Sequence, residues 1–348
     1  MILTSDWHLD DNPDNFYRWF VFDSLKAQLE QGETRFVMLG DLCDKKDRHS
    51  AELVNQLLDA FSDLCQHAYN FTAQFEFIIL CGNHDLPLRG APYWNLLNYL
   101  GQPYQFLTEP TLIGAKLFLP YSHDPACDWN NLFFGQSKLD FSQIKTIFMH
   151  QTLTGARAEG SGHRVMEGKP GIPLFPAHVK VYSGDIHLPQ TIKWGCDVEY
   201  VGAPHLVRFG DDHPMRLLRL DETSYEIAEE ILLEPPGKMV VAVSSIAELR
   251  ACPAKAGDQV RVRFTIPHDK IEQWGIEEAE VKRWAAELGV DLASIEPIIE
   301  RYANDEQDRP VDTFNYDPLA LLEQFAATEG LDQGLFEAGR ALLAGARE

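Results

Sequence analysis

Three short apolar runs open the chain, and each stops at a cluster of carboxylate, imidazole or amide side chains. Met1 to Thr4, 35-RFVML-39 and 75-FEFIIL-80 are too short for helices and read as strands. Between them lie two segments of helical spacing. Residues 14–32 carry Phe16, Trp19, Phe20, Phe22 and Leu25 and end at Gly32, and residues 50–68 start at an N-capping Ser50. This βαβαβ order predicts an α/β fold, with a mostly parallel, buried sheet and helices packed on it.

From about residue 104 the pattern turns strand-rich, with runs at 111–120, 145–150, 179–184, 190–195, 198–202 and 215–221. A second sheet facing the first is the simplest packing. Residues 154–171 are Gly-rich and charged and read as a long loop or flap. A break at 235-PPGK-238 precedes a small α+β pattern: strands at 239–244, 258–266 and 295–300 and a helix at 276–289. Polar residues 303–313 read as a linker to two amphipathic segments, 317–330 and 331–346. The expected division is 1–234, 235–302 and 303–348.

Composition excludes several classes. With 45% apolar residues among 348, the chain can bury a substantial core. Its 53 acidic against 30 basic residues, net charge -23, argue against coating a polyanion non-specifically. A nucleic-acid substrate stays possible, because bound cations supply positive charge locally. The six cysteines (Cys43, Cys65, Cys81, Cys127, Cys196 and Cys252) show no C-x-x-C spacing, so a zinc ribbon or disulfide framework is not expected. No apolar run approaches the roughly 20 residues of a membrane span. The N-terminus lacks a signal-peptide pattern. A cytoplasmic protein is the expectation.

The chemistry gathers just past strand ends. The first strand delivers Asp6 and His8, the second 40-GDLCD-44 with Asp41, and the third 82-GNHD-85 with Asn83, His84 and Asp85. Two later strands end in His150 and in 185-DIH-187. Carboxyl ends of neighbouring parallel strands lie side by side, so these clusters converge on one place. Oxygen and imidazole ligands without thiolate suit manganese, iron or zinc in a hydrolytic site. Two such ions about 3.5–4 Å apart would activate water and clamp a phosphate. A lone D-x-H is weak and G-D-x-x-D moderate, whereas G-N-H-D after a buried strand is strong. Their order on this alternation is stronger than any one of them.

With these motifs the chain resembles the calcineurin-like metallophosphoesterases, whose pattern is D-x-H, G-D-x-x-D, G-N-H-D/E, H, G-H-x-H. The resemblance covers residues 1 to about 210 and implies a two-sheet α/β/β/α sandwich with a smaller α+β capping domain and a C-terminal helical tail. It implies that Asp6, His8 and His187 hold one metal, that Asn83, His150 and Asp185 hold a second, and that Asp41 bridges them. It makes His84 the proton donor to the leaving oxygen, oriented by Asp85. Two divalent ions follow, Mn²⁺ first and Mg²⁺ or Fe²⁺ as alternatives.

Within the family the chain is similar to the nuclease branch of the SbcD subunit of SbcCD and its phage-encoded relatives. S-D-W-H-L at the start, 200-YVGAPHLVRFGDD-212 and the small module with its tail carry that likeness. It implies a DNA exonuclease and endonuclease, a homodimer through Tyr93 to Leu100 and the preceding helices, and an SbcC-like ATPase docked on the C-terminal segments. Alternatives are a small-molecule phosphodiesterase or nucleotidase and a scaffold subunit with a decayed site. Asp185 departs from the family His, and Lys45 and Asp85 depart from the Ser/Thr phosphatase pattern. Lys45, Lys46, Arg48 and His205 are candidates for substrate contact. For the first three, ordinary solvated loop charge weighs about equally.

Overall fold

The computed structural model describes residues 1–72, 74–87, 90–99, 103–135, 138–158, 166–300 and positions 336, 337 and 340. Contacts divide the chain into two units, Met1–Ile266 with Lys270–Ile298 and Pro267–Asp269 with Ile299–Glu348. The second holds few described residues. Both expected C-terminal helical segments fall there, outside the described residues apart from three positions.

The opening order is β1 (Ile2–Thr4), α1 (Phe20–Glu30), β2 (Arg35–Met38), α2 (Ala51–Tyr69), β3 (Glu76–Leu80) and β4 (Tyr104–Leu107). These four strands are parallel neighbours in that order. Ser50 caps α2 as expected, its hydroxyl accepting from the Leu53 N–H at 3.0 Å. Ahead of α1 the chain runs as a 3₁₀ helix, Pro13–Trp19, where the sequence pattern suggested one continuous helix. Asn12 caps that turn and Pro13 starts it, so the coil tightens before α1 begins. The short helix after the G-N-H-D motif is likewise 3₁₀, Tyr93–Tyr99.

A second sheet follows from β5 (Thr111–Ile113), β6 (Lys116–Leu119), two single-turn helices α3 (Pro125–Asp128) and α4 (Asn130–Phe133), β7 (Thr146–His150), β8 (Lys180–Gly184), β9 (Gln190–Trp194) and β10 (Cys196–Tyr200). Its order is β5-β6-β7-β8-β10-β9, with β6, β7, β8 and β10 parallel. The expected strand 111–120 is split by a turn at Gly114 into the β5–β6 hairpin. β11 (Arg216–Leu220) and β12 (Ile227–Leu232) return to the first sheet, giving β12-β11-β1-β2-β3-β4.

Period-two alternation sorts the core into layers. Ile2, Phe36, Met38, Phe77 and Ile79 face α1 and α2 in one cluster. Their sequence neighbours Leu3, Val37, Ile78 and Leu80 lie in another, with Phe118, Phe148 and Tyr182 of the second sheet. On the far side of that sheet, Leu117, Ile147, Met149, Val181 and Val198 join Trp129 and Phe133. The architecture is therefore an α/β/β/α sandwich, and a near-continuous apolar strand is what two buried faces require.

After 235-PPGK-238 come β13 (Lys238–Val243), α5 (Ile246–Arg250), β14 (Gln259–Pro267), α6 (Trp274–Leu288) and β15 (Asp291–Glu300). The strands form a three-stranded sheet, β13-β14-β15, with an apolar core of its own around Val260, Val262, Leu249, Val281 and Trp284. Lys238 ties this sheet back to the sandwich, its ammonium donating to Asn15 Oδ1 at 2.6 Å.

Phe148 is fully buried between the two large sheets and stacks on Phe118 at 5.3 Å between ring centroids. Phe148→Ala is expected to cost about 3–5 kcal/mol, from lost burial plus a cavity. Phe134, 60% exposed, gives the control: its alanine variant should stay within about 0.5 kcal/mol. Urea unfolding of both variants measures the difference.

Candidate metal centre

The loops after β1 and β2 keep pairing beyond their strands. Asp6 N–H donates to Gly40 O at 3.0 Å, His8 N–H to Asp41 O at 2.9 Å and Leu9 N–H to Leu42 O at 3.0 Å. The two motifs are thus laid side by side in register. Asp6, His8, Asp41 and Asp185 all take left-handed backbone, with φ of 55°, 47°, 59° and 79°. Such conformations cost of order 1–3 kcal/mol each and persist only where surrounding bonds over-determine them.

Much of that determination comes from Asp85. Its carboxylate is buried and accepts from the backbone N–H of Asp41 (2.8 Å), Leu42 (3.0 Å), Cys43 (3.4 Å) and Gly82 (2.9 Å). It therefore shapes the turn that carries Asp41. The family resemblance implies that Asp85 orients the His84 ring, whereas in the structure that contact goes to another group. His84 Nδ1 donates to the Asp44 carbonyl at 2.5 Å. A carboxylate surrounded by four amides has no lone pair to spare for an imidazole, which explains the difference.

His8, Asp41, Asn83, His84, Asp185 and His187 line one pocket of about 360 Å³, and Asp6 and His150 lie buried against them. Donor atoms of Asp6, His8 and His187 lie within 4.8 Å of one another, as do those of Asp6, Asp41 and His150. A third such group joins His8, Asp44 and His84. Asn83 Oδ1 is 3.3 Å and Asp185 Oδ1 3.8 Å from His150 Nε2. All eight residues expected at one place, His84 included, are there.

The donor set fits divalent cations. Asp6 Oδ2 is buried with no hydrogen-bond partner, an arrangement that an ion at that oxygen would relieve. His8 Nε2 and His187 Nε2 stand 3.0 Å apart, aimed at common space. His150 donates through Nδ1 to the Leu39 carbonyl, which leaves Nε2 facing Asp41 and Asp185.

Charge tells the same story. Burial pushes His8 well below the usual histidine range, and His187 and His84 push it the same way. Burial raises Asp41 well above the carboxylate range; His150 opposes this, while Asp6, Asp85 and Asp185 add to it. Burial alone would lower His150, but Asp41, Asp185 and Asp6 overrule it and raise its pKa to about 9. The carboxylates in this pocket thus draw positive charge wherever it can be found.

Asp185, where the sequence pattern breaks, is held at both ends. Its N–H donates to Asp6 Oδ1 at 3.2 Å, and its Oδ2 accepts from the Thr152 hydroxyl.

Residues outside the ligand motifs were harder to read. His205 is 2% exposed and bonded through Nε2 to the Trp7 carbonyl at 2.8 Å. It supports the D-x-H loop from behind and does not line the pocket, which corrects its assignment to substrate. Lys45 lies 3.5 Å from Asp11, and Lys46 and Arg48 line a separate hollow of about 720 Å³ with His49, Pro87 and Tyr93. The pocket wall instead includes Asp44, Arg18, Thr152 and Arg208. Asp44 closes the G-D-x-x-D pattern and Arg208 stands inside 200-YVGAPHLVRFGDD-212, but neither is assigned a role by the sequence. Arg18 sits in an amphipathic stretch that reads simply as helix.

This fold and pocket define a phosphoesterase of the two-sheet, carboxylate-and-imidazole class. Comparison of the sequence with known families agrees: the calcineurin-like phosphoesterase pattern matches residues 1–215. The chain belongs to the calcineurin-like phosphoesterase family and is by that membership a metal-dependent phosphoester hydrolase. A search of curated proteins finds no significant match. Among the described residues no helix is long and apolar enough to cross a membrane.

Replacing Asp85 with Asn turns an amide N–H₂ toward some of the four backbone donors. The expected cost is about 1–3 kcal/mol, since buried donors are left unsatisfied. Thermal unfolding in the presence of a chelator checks this. An unchanged midpoint would mean that the carboxylate does not hold the Asp41 turn.

Proposed function

We propose that the chain is a metal-dependent DNA nuclease that hydrolyses phosphodiester bonds as the nuclease subunit of an SbcCD-like complex. The observation that carries the hydrolytic part is the convergence of Asp6, His8, Asp41, Asn83, His84, His150, Asp185 and His187 on one pocket. The nuclease part is supported by the likeness of 200-YVGAPHLVRFGDD-212 to that branch, and by a small sheet packed beside this segment.

On this reading Asp6, His8 and His187 would hold one ion and Asn83, His150 and Asp185 the other, with Asp41 able to serve either. When bound, the two ions supply an activated water and neutralise charge on the phosphate. His84 carries a proton at Nε2 while Nδ1–H stays committed to Asp44. As the bond from phosphorus to the leaving oxygen breaks, that proton passes to the oxygen, and the phosphate keeps the incoming hydroxyl. Arg18 donates to the His8 carbonyl and so fixes the D-x-H loop from within. A carboxylate at 185 adds hard oxygen and favours Mn²⁺ or Mg²⁺ over Zn²⁺.

The assembly follows the same reading. Tyr99, 85% exposed, and Tyr93 offer aromatic surface for a homodimer, and the segments 317–330 and 331–346 would dock an ATPase partner that supplies DNA grip. A second reading, a small-molecule phosphodiesterase or nucleotidase, is favoured by the net charge of -23 and by a pocket of about 360 Å³.

With Mn²⁺ and linear duplex or single-stranded DNA, the wild type should release nucleotides, and Asp41→Ala should abolish this. His84→Ala should lower kcat by about 10²–10⁴-fold, the worth of a positioned proton donor. Wild-type turnover of a cyclic nucleotide with no action on DNA would decide for the second reading; full activity in both variants would remove these residues from the mechanism.

Metal stoichiometry tests Asp185. Calorimetric titration with Mn²⁺ should give two ions per chain for the wild type and one for Asp185→Ala. Asp185→His should keep two and shift preference toward Zn²⁺. Two ions in the alanine variant would show that Asp185 is not a ligand.

A further inference from the structure

One wall of the metal pocket carries a cation that belongs to no metal motif. Arg208 lines the pocket together with His8, His84 and His187. Several other arginines of the sandwich are neutralised: Arg35 pairs with Glu222, Arg216 with Glu199 and Glu230, and Arg219 with Glu33 and Glu229. The Arg208 guanidinium has no such partner among the described residues and is exposed. An uncompensated guanidinium facing a pocket that draws cations is a ready contact for an anionic group of a substrate.

The backbone that carries it is fixed at every step. His205 is bonded to the Trp7 carbonyl at 2.8 Å, the Tyr17 hydroxyl donates to Leu206 O at 2.5 Å, and Arg18 Nη2 donates to Val207 O at 3.3 Å. Arg208 N–H donates to Asp211 Oδ2 at 2.6 Å in a tight turn. The next side chain, Phe209, is gripped by the small sheet: Arg261 Cζ lies 4.0 Å and Lys238 Nζ 5.4 Å from its ring centroid. Cations over an aromatic face hold it by charge–quadrupole attraction. Lys238 is itself anchored on Asn15, and Asn15 donates to Asp10 at 2.6 Å. Preorganisation of this kind is what a binding group needs and what a solvated surface arginine lacks.

We infer that Arg208 anchors the substrate by taking an oxygen of a phosphate next to the scissile one, and that Phe209, clamped by Arg261 and Lys238, is its positioning residue. The inference rests on the nuclease reading, in which a polynucleotide offers a second phosphate one nucleotide away from the scissile one. It gives the small sheet a task at the pocket: to set where the next phosphate of the chain sits.

The test compares a short single-stranded oligonucleotide with bis(4-nitrophenyl) phosphate, which has one phosphate only, both with Mn²⁺. Arg208→Ala should lower kcat/KM on the oligonucleotide about 10–100-fold, mostly through KM, as expected for losing a charge-assisted hydrogen bond. The loss should exceed that on the nitrophenyl ester at least about ten-fold. Arg208→Lys should restore part, keeping the charge without the planar fork. Phe209→Leu should cost about 3–10-fold on the oligonucleotide, with Phe209→Tyr recovering it. Oligonucleotide binding measured with Ca²⁺ should lose about 0.7 from its salt slope in Arg208→Ala, one phosphate contact on a single strand. The Mn²⁺ titration midpoint should not move.

Equal losses on both substrates would place Arg208 at the scissile phosphate and overturn the inference. So would an Arg208→Ala variant that cleaves and binds the oligonucleotide like the wild type, while leaving the nuclease reading intact. A wild type that cleaves the nitrophenyl ester but neither binds nor cuts the oligonucleotide overturns both.

Discussion

The two large sheets come together where Gly40 and Gly184 pass His150, and the whole pocket depends on that approach. A Cβ on Gly40 would lie 2.8 Å from the Gly82 Cα and from His150 Cγ, and its φ is +100°. A Cβ on Gly184 would lie 2.6 Å from the Leu39 carbonyl oxygen and 2.8 Å from His150 Nδ1. Side chains at either place would push the sheets apart. Without them the carboxyl ends of β1, β2 and β3 face those of β7 and β8, and ligands from two sheets reach one volume. The left-handed turns at Asp6, Asp41 and Asp185 follow from the same crowding, because each chain must turn sharply as it leaves its strand.

Crowding brings the second constraint, which is electrostatic. Asp41, Asp185 and Asp6 lie around the buried imidazole of His150 and together raise its pKa against the pull of burial. Asp85 is close by, but its four backbone donors already stabilise its charge. The two roles are therefore separate. Asp85 is saturated by the fold and builds it, whereas Asp6 retains an oxygen with nothing to bond and is open to a cation. The Thr152–Asp185 hydrogen bond fits this division. A hydroxyl donating to Oδ2 leaves Oδ1 toward His150, so the departure from the family His comes with a partner that orients the carboxylate. A site losing its function would have no reason to keep the replacement oriented.

The sandwich was readable because its strands alternate between two apolar faces and its motifs sit at their ends. β1, β2, β3, β7 and β8 needed no tertiary knowledge. β12 escaped because it is an edge strand, with Glu229 and Glu230 on an exposed ladder and little apolar pattern. The ligand set was legible for a similar reason: metal ligands are specified by residue type and order, and strand ends by hydrophobicity. Supporting contacts are not. The partner of His84 is a backbone carbonyl, which any residue at 44 would supply. His205 reads as a loop residue free to reach substrate, yet it is buried and its Nε2 is bonded to the Trp7 carbonyl. The basic run Lys45 to Arg48 follows a ligand motif directly, but the chain turns away from the pocket after Asp44.

The position of that basic run bears on how so acidic a chain could hold DNA. A net charge of -23 sets an unfavourable field at long range, so affinity must come from a few well-placed local charges. The structure concentrates such charges on one side of the pocket. Arg18, itself buried, and Arg208 line it, and Lys238 and Arg261 close over Phe209. Two divalent ions would add to the same wall. These cations are held by contacts within the fold, so on the nuclease reading little ordering entropy would be lost when a polyanion binds beside them.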